Sequence, residues 1–186
     1  TYNSLIDPSG GDRDNNDKWQ QSTTRRVFGL TGSLNAAGST IKRLGSDGAV
    51  VTFKWGTKNG LAAYWSTSGD DTYDRLSRDG ASADWKWTDG ASKDTEFYRA
   101  IDGFTNSNAA EFRIRERADV DGNKLTFDYL DGSDKLEKVA TRNGEWLKYT
   151  WSGNNITKIE TGYTDGTAKT LTRTWYEYTS GRLTRV

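Results

Sequence analysis

The sequence predicts an all-β protein in which about a dozen strands are joined as successive antiparallel hairpins. Nine Asp-Gly or Asn-Gly dipeptides punctuate the 186 residues, and they favour hairpin turns because both residues tolerate a positive φ. The segments between them are short and alternate apolar with polar residues, as in 50–55 and 124–129. No segment keeps the apolar spacing of a helix over about ten residues.

We predict an irregular lead-in over residues 1–18, because this segment contains the only proline and many Asp and Asn residues. Residues 19–186 are predicted to form one region of hairpins. The predicted turns, in chain order, are Asp47-Gly48, Asn59-Gly60, Asp79-Gly80, Asp89-Gly90, Asp102-Gly103, Asp121-Gly122, Asp131-Gly132, Asn143-Gly144 and Asp165-Gly166.

The composition predicts an aromatic core. Only 33% of the residues are apolar, but eight Trp, nine Tyr and six Phe supply area that can be buried. Each such side chain buries roughly 150–250 Å². The chain contains no His and no Cys, which excludes Ser-His-Asp and Cys-His catalysis, the usual zinc sites and disulfides. We predict no cofactor.

The charge balance bears on partners. Twenty-six basic residues balance 26 acidic ones, which disfavours nucleic acid or an anionic membrane as a partner. No apolar run approaches the roughly 20 residues that span a bilayer, so we expect no membrane insertion. Because the sequence also lacks Met, we expect it to be a fragment of a larger protein.

Aromatic residues recur in pairs two positions apart, each followed by a turn that contains glycine. After the later turns, two aliphatic residues follow three positions apart, as in Ile156/Ile159 and Leu183/Val186. Strict alternation would place residues three apart on opposite faces, so the pattern predicts either a bulge or apolar cover on both faces. The aromatic pairs are Phe53/Trp55, Trp85/Trp87, Phe127/Tyr129, Tyr149/Trp151 and Tyr176/Tyr178.

The C-terminal units resemble the YD repeat of Rhs-type proteins. That repeat has Tyr-Asp, two variable residues, Gly-Arg-Leu and an apolar residue three positions later. Residues 178–186 (YTSGRLTRV) and 151–159 (WSGNNITKI) are similar to it, with the aspartate replaced, and residues 129–139 are a weaker match. The resemblance is clearest over 124–186 and degenerate before 124.

The resemblance implies a curled sheet or shell segment. YD-repeat polypeptides coil a ribbon of hairpins into a shell in large bacterial secreted or cell-surface proteins, including toxins, and in teneurins. The implied function is structural and non-catalytic. The implied partner is the remainder of its own polypeptide. Independently of the resemblance, Val186 ends the last unit without a polar cap, and an uncapped strand edge predicts self-association of the isolated segment.

Carboxylate pairs offer little support for an enzyme. Glycoside hydrolysis needs two carboxylates about 5–10 Å apart, and the candidates are Glu111/Glu116 and Glu96/Asp102. Nothing in the sequence distinguishes them from solvated surface charges, so we predict no enzyme activity.

Two segments space oxygen ligands as calcium loops do, Asp12–Asn16 and Asp119–Asn123. Neither has the glycine or the glutamate that an EF-hand loop requires at its sixth and twelfth positions. Turn chemistry is therefore the favoured interpretation, we predict no metal site, and calcium binding stays open.

The alternative function is a β-rich adhesin or carbohydrate-binding module that stacks glycans on exposed rings. The candidate residues are Tyr64, Trp65, Trp85 and Trp87. Neighbours on a strand point to opposite faces, so one ring of the pair Tyr64 and Trp65 must find cover elsewhere. Burial in the core is the competing and favoured interpretation of all four.

Overall fold

The structure is a computed structural model that describes residues 25–68, 73–78, 84–100, 111–133 and 135–186. All regular elements in these ranges are strands, which confirms the all-β prediction, and the predicted lead-in lies outside them. No helix among these residues is long and apolar enough to cross a membrane. The strands are β1 (Arg26–Thr31), β2 (Thr40–Leu44), β3 (Val50–Lys58), β4 (Leu61–Ser66), β5 (Arg75–Ser77), β6 (Trp85–Thr88), β7 (Thr95–Ala100), β8 (Phe112–Ala118), β9 (Lys124–Tyr129), β10 (Leu136–Thr141), β11 (Glu145–Ser152), β12 (Asn155–Asp165), β13 (Thr167–Trp175), β14 (Glu177–Thr179) and β15 (Arg182–Arg185).

The chain forms two compact units. The first unit holds β1–β8 and ends at Asn123, and the second unit holds β9–β15 and begins at Lys124. Lys124 is also the residue at which the repeat resemblance becomes clear.

The first unit is a closed sheet of eight strands. Each strand pairs antiparallel with the next, and β1 also pairs with β8 through Arg26 with Arg113 and Val27 with Phe112. Eight tilted strands enclose an interior just wide enough for side chains to fill. The sheet is thus more than curled, because its first and last strands meet.

Aromatic rings fill this interior, as the composition predicts. Tyr64 contacts Trp55 and Trp85 edge to face, with ring centroids 5.1 and 5.3 Å apart, and Trp85 in turn contacts Phe112 at 6.3 Å. Such edge-to-face pairs bring the positive rim of one ring to the negative face of the next. Tyr64 and Trp85 are completely buried.

The second unit is a meander of consecutive antiparallel strands from β9 to β13, and β14 pairs with β15 as a further hairpin. Within the described ranges, β13 has β12 as its one paired neighbour along its length. Among the residues that the structure describes, one edge of this nine-residue strand therefore has no paired strand, and we call it the open edge of β13.

Seven of the nine predicted turns lie between consecutive strands, and Asp79-Gly80 and Asp102-Gly103 lie outside the described residues. Asn59 and Gly60 both have a positive φ, 52° and 76°, as a two-residue hairpin loop requires. At the other six described dipeptides the Asp or Asn has no positive φ, so the prediction of two positive φ values is wrong there. One left-handed glycine, or a longer loop, suffices to reverse the chain at these positions.

Candidate functional site

Three hairpins of the second unit share one arrangement of aromatic and aliphatic residues. In the hairpin of β9 and β10, Tyr129 lies opposite Leu136 and Phe127 opposite Val139. The aromatics are two positions apart and the aliphatics three, so Glu137 is an extra, bulged residue. The bulge brings both aliphatic side chains to the face of the aromatic pair.

The hairpin of β11 and β12 repeats this arrangement. Trp151 lies opposite Ile156 and Tyr149 opposite Ile159, with Thr157 as the bulged residue. Of the two alternatives that the sequence leaves open, a bulge or apolar cover on both faces, the structure has the bulge. Ile156 and Ile159 therefore share a face despite their spacing.

The last hairpin has the bulge at the equivalent position. Tyr178 lies opposite Leu183, Glu177 lies opposite Arg185, and Thr184 is the extra residue. The Thr184 hydroxyl donates to the carbonyl oxygen of Glu177 at 3.1 Å.

The bulged threonines of the last two hairpins make the same contact. Thr157 Oγ1 donates to the carbonyl oxygen of Thr150 at 3.2 Å, just as Thr184 does to Glu177. Each acceptor stands between the two aromatic residues of its own hairpin. The hydroxyl therefore fastens the bulge to the opposite strand in both cases.

A second contact joins each hairpin to the one before it. Trp151 Nε1 donates to the carbonyl oxygen of Leu136 at 2.8 Å, and the Tyr178 hydroxyl donates to that of Ile156 at 3.0 Å. Each donor is the second aromatic of its pair, and each acceptor is the first aliphatic residue after the preceding turn. We call these two hydrogen bonds the aromatic clasps.

The apolar face of the repeat becomes more exposed toward the C-terminal end. Leu136 is 5% exposed, Ile156 is half-buried, and Leu183 is 51% exposed. Val186, which follows the last bulge, is 72% exposed. The aliphatic pair of the last hairpin is therefore more exposed than the pairs of the two preceding hairpins.

The last hairpin also lies on the open side of β13. The backbone N–H of Tyr176 donates to the carbonyl oxygen of Thr157 at 3.0 Å, which keeps β14 in line with β13 alongside β12. Because successive N–H groups alternate in direction along a strand, those of Trp175 and Glu177 point away from β12. The strand β15 pairs with β14 on that side.

Sequence and register agree that the last two hairpins are equivalent. Residues 155–159 are Asn-Ile-Thr-Lys-Ile and residues 182–186 are Arg-Leu-Thr-Arg-Val, and each segment begins directly after its turn. No protein-family model matches this chain, and a search of curated proteins finds no significant similarity.

The first unit contains a buried ionic cluster that the sequence analysis missed. Glu96 is 1% exposed and accepts hydrogen bonds from Arg25, from Arg43 Nη2 at 2.6 Å and from the hydroxyl of Tyr98. The Arg43 guanidinium also lies 3.6 Å from the ring centre of Trp87. The expectation that Glu96 is a solvated surface charge is wrong, and its predicted companion Asp102 lies outside the described residues.

The cluster shifts the pKa values of Glu96, Arg43 and Tyr98. Burial opposes the charge on Glu96, but Arg43 and Arg25 outweigh it, so the pKa of Glu96 lies below its ordinary value of 4.5. Burial likewise opposes the charge on Arg43, yet Tyr98 and Glu96 raise the pKa of Arg43 above its ordinary value. Burial raises the pKa of Tyr98. Glu96 is therefore an ion-pair partner throughout the neutral range.

In the other predicted carboxylate pair, Glu111 and Glu116, Glu111 forms ion pairs with arginines. Glu111 accepts a hydrogen bond of 2.8 Å from Arg113 Nη2 and lies 3.7 Å from Arg26 Nη1. Arg26 and Arg113 are paired residues where β1 meets β8, so Glu111 lies between two like charges at the closure of the sheet. Glu116 is half-buried and lies in β8, four residues after Phe112.

All four predicted glycan-binding residues are buried: Tyr64 and Trp85 completely, Trp65 to 7% and Trp87 to 8% exposure. The Tyr64 hydroxyl accepts from the backbone N–H of Asn35 at 2.9 Å. Trp65 points the other way and donates to the carbonyl oxygen of Gly56 at 3.1 Å. A sugar therefore finds no open ring face at these positions.

In the loop Asp119–Asn123, the carboxylate oxygens of Asp119 accept hydrogen bonds from within the loop. Asp119 Oδ1 accepts from the N–H groups of Asp121 and Asn123 at 3.0 and 2.9 Å, and Oδ2 accepts from the Asn123 side chain at 2.7 Å. The Asn123 amide holds the pKa of Asp119 below its ordinary value. The described part of the chain has no group of three or more potential carboxylate, His or Cys metal ligands, and Asp12–Asn16 lies outside it.

Proposed function

We propose that this chain is a non-catalytic structural segment of a large bacterial secreted or surface protein, a YD/Rhs-like wall in which hairpins stack edge to edge. The supporting observation is the repeated bulge in three successive hairpins, together with the aromatic clasps that tie the later hairpins to their predecessors. A repeat of this kind stabilises each unit through its neighbour.

The proposal includes further repeats in the parent polypeptide. The strand β12 has eleven residues and β15, at the equivalent position, has four. Beyond Val186, a strand running on from β15 would lie antiparallel to β13 along its open edge. It would give that edge backbone hydrogen bonds and cover the exposed Leu183.

A tandem chain tests this function. The equivalence of residues 155–159 with 182–186 implies that a second copy of residues 160–186, placed directly after Val186, continues the repeat in phase. We expect the added segment to fold as a hairpin on β13. The amide N–H groups of Arg173 and Trp175 should then exchange with solvent more slowly than in the original chain, and light scattering should report a monomer.

The matched control repeats residues 161–186 instead, which shifts the added segment by one residue. A shift of one residue turns every side chain to the other face of the sheet, so this chain should not protect β13. Equal exchange at Arg173 and Trp175 in the two tandem chains and the original chain would contradict the proposed function.

A further inference from the structure

A row of alternating charges crosses the strands of the second unit. Lys148 lies opposite Glu160, and Glu160 lies opposite Arg173. Lys148 Nζ is 3.5 Å from Glu137 Oε1, and Arg173 Nε is 2.8 Å from Glu160 Oε1. Across the strand pairs from β11 to β13 the row therefore runs positive, negative, positive. On β10, Lys138 lies opposite Lys148, and the bulged residue next to it, Glu137, supplies the negative charge that Lys148 contacts.

The row ends on a positive charge beside the open edge. The Arg173 side chain is 53% exposed, whereas that of Glu160 is 13% exposed. Lys158 also contacts Glu160, at 2.9 Å, so one carboxylate serves two cations. The strand β13 adds Lys169 and contains no acidic residue, which leaves its open edge basic.

We propose that the strand that pairs with the open edge of β13 carries an acidic side chain opposite Arg173. The proposal rests on the proposed function, because it names the chemistry of the strand that continues the wall. Opposite charges directly across a strand pair stabilise it, and like charges destabilise it. An acidic residue would extend the alternation by one strand.

The register identifies the position. The pair Glu177 and Arg185 fixes the alignment of β15, and continuing from it one residue at a time places the third residue after Val186 opposite Arg173. A second copy of this chain is a poorer occupant, because its own β13 would bring Lys169 and Arg173 against an equally basic edge. The occupant is therefore a strand that continues from β15.

The test uses a shorter in-phase chain, in which only a copy of residues 160–165 follows Val186, so that no copy of Lys169 lies beside the added strand. Its third added residue, the copy of Gly162, is made Glu, Gln or Lys in three versions, and hydrogen exchange is measured at the amides of Arg173 and Trp175. We expect the slowest exchange with Glu and the fastest with Lys, each step being about two- to fivefold. At 1 M salt, where the screening length is about 3 Å, the three versions should converge.

The Arg173→Gln variant of each version is the matched control, and it should remove the preference for Glu. If the Gln version protects β13 but the Glu and Lys versions exchange at equal rates, the proposal of an acidic residue opposite Arg173 is overturned and the proposed function stands. If neither these versions nor the unsubstituted tandem chain protects β13, the proposed function fails as well. If light scattering shows that the original chain forms dimers that protect the same amides, a second copy occupies the edge and the proposal is overturned.

Discussion

The hydroxyl group of Tyr178 donates a hydrogen bond to the carbonyl oxygen of Ile156, which belongs to the preceding hairpin. Trp151 makes the corresponding bond to Leu136 with its indole nitrogen. Tyrosine and tryptophan can replace each other here because each carries a donor at the far end of a flat apolar ring. Phenylalanine would keep the packing and lose the bond.

Tyr178→Phe should therefore loosen the last hairpin while leaving its ring in place. The expected loss is about 1 kcal/mol, the net contribution of one such hydrogen bond. Hydrogen exchange at the amides of β14 and β15 measures it. The matched control is Tyr176→Phe, the first aromatic of the same pair. Equal effects of the two variants would argue against the clasp.

Truncation of Trp151 to Ala should destabilise the second unit by about 3 kcal/mol, the lower end for a large aromatic, because the side chain is half-buried. Denaturant unfolding measures the loss. Trp151→Phe should lose less, since it keeps most of the ring area. An unchanged midpoint for the Ala variant would place Trp151 on the surface.

Glu96→Gln should destabilise the first unit by about 3–5 kcal/mol, because it removes the buried carboxylate that pairs with Arg25 and Arg43. The matched control is Glu177→Gln, whose carboxylate is 62% exposed. A surface change of that kind costs less than about 0.5 kcal/mol. Similar unfolding midpoints for the two variants would show that the cluster does not stabilise the fold.

The same carboxylate predicts a pH dependence. The pKa of Glu96 is lower in the folded chain than its ordinary value of 4.5, so its stabilising effect is complete above that pH. The effect is lost as the pH falls below 4.5 toward the folded pKa. Unfolding free energies measured from pH 6 to pH 2 should fall less steeply in Glu96→Gln than in the original chain. Parallel curves would contradict the ion pairs.

Gly162→Ala should destabilise the sheet of the second unit, because the added methyl group meets the carbonyl oxygen of Lys169 and the ring of Trp146. Overpacking of this kind costs about 1–3 kcal/mol. Gly56→Ala in β3 is the control, since its methyl group would meet no atom within 4 Å. Faster exchange at β12 and β13 in the first variant alone is the expected result.

Tryptophan fluorescence distinguishes the wall from a glycan-binding surface. Trp175 is 58% exposed and Trp85 is completely buried, so Trp175→Phe should remove emission that iodide quenches and Trp85→Phe emission that it does not. Protection of Trp175 from iodide by added glycans would favour the adhesin.

The local features of the fold were predictable, and the pairing of distant strands was not. Glycine turns and alternation mark the hairpins because both arise between near neighbours in sequence. The pairing of Val27 with Phe112 has no local pattern, so the closure of the first sheet was missed. The bulges were predicted only as one of two alternatives. The spacing of Ile156 and Ile159 required an exception to strict alternation, but it did not distinguish a bulge from apolar cover on both faces.

The ionic cluster was missed for a different reason. Balanced counts of charge suggest a solvated surface, and that inference treats every carboxylate alike. Alternation within the strands does contain a usable signal, because Glu96 shares a face with Tyr98 and Arg43 shares one with Ile41. Two opposite charges on apolar faces of different strands indicate a buried pair.

The closure between β1 and β8 also bears on how fast each unit folds. Val27 pairs with Phe112, so the segment between these two residues must be synthesised and ordered before the pairing of β1 with β8, which we call the seam, can form. Pairings between distant residues slow folding, because the entropy of closing a long loop is lost before the contact is gained. The second unit has its clasp partners Leu136 and Trp151 only 15 residues apart. We therefore expect its hairpins to fold in a fast kinetic phase, and the seam of the first unit to close in a slower one.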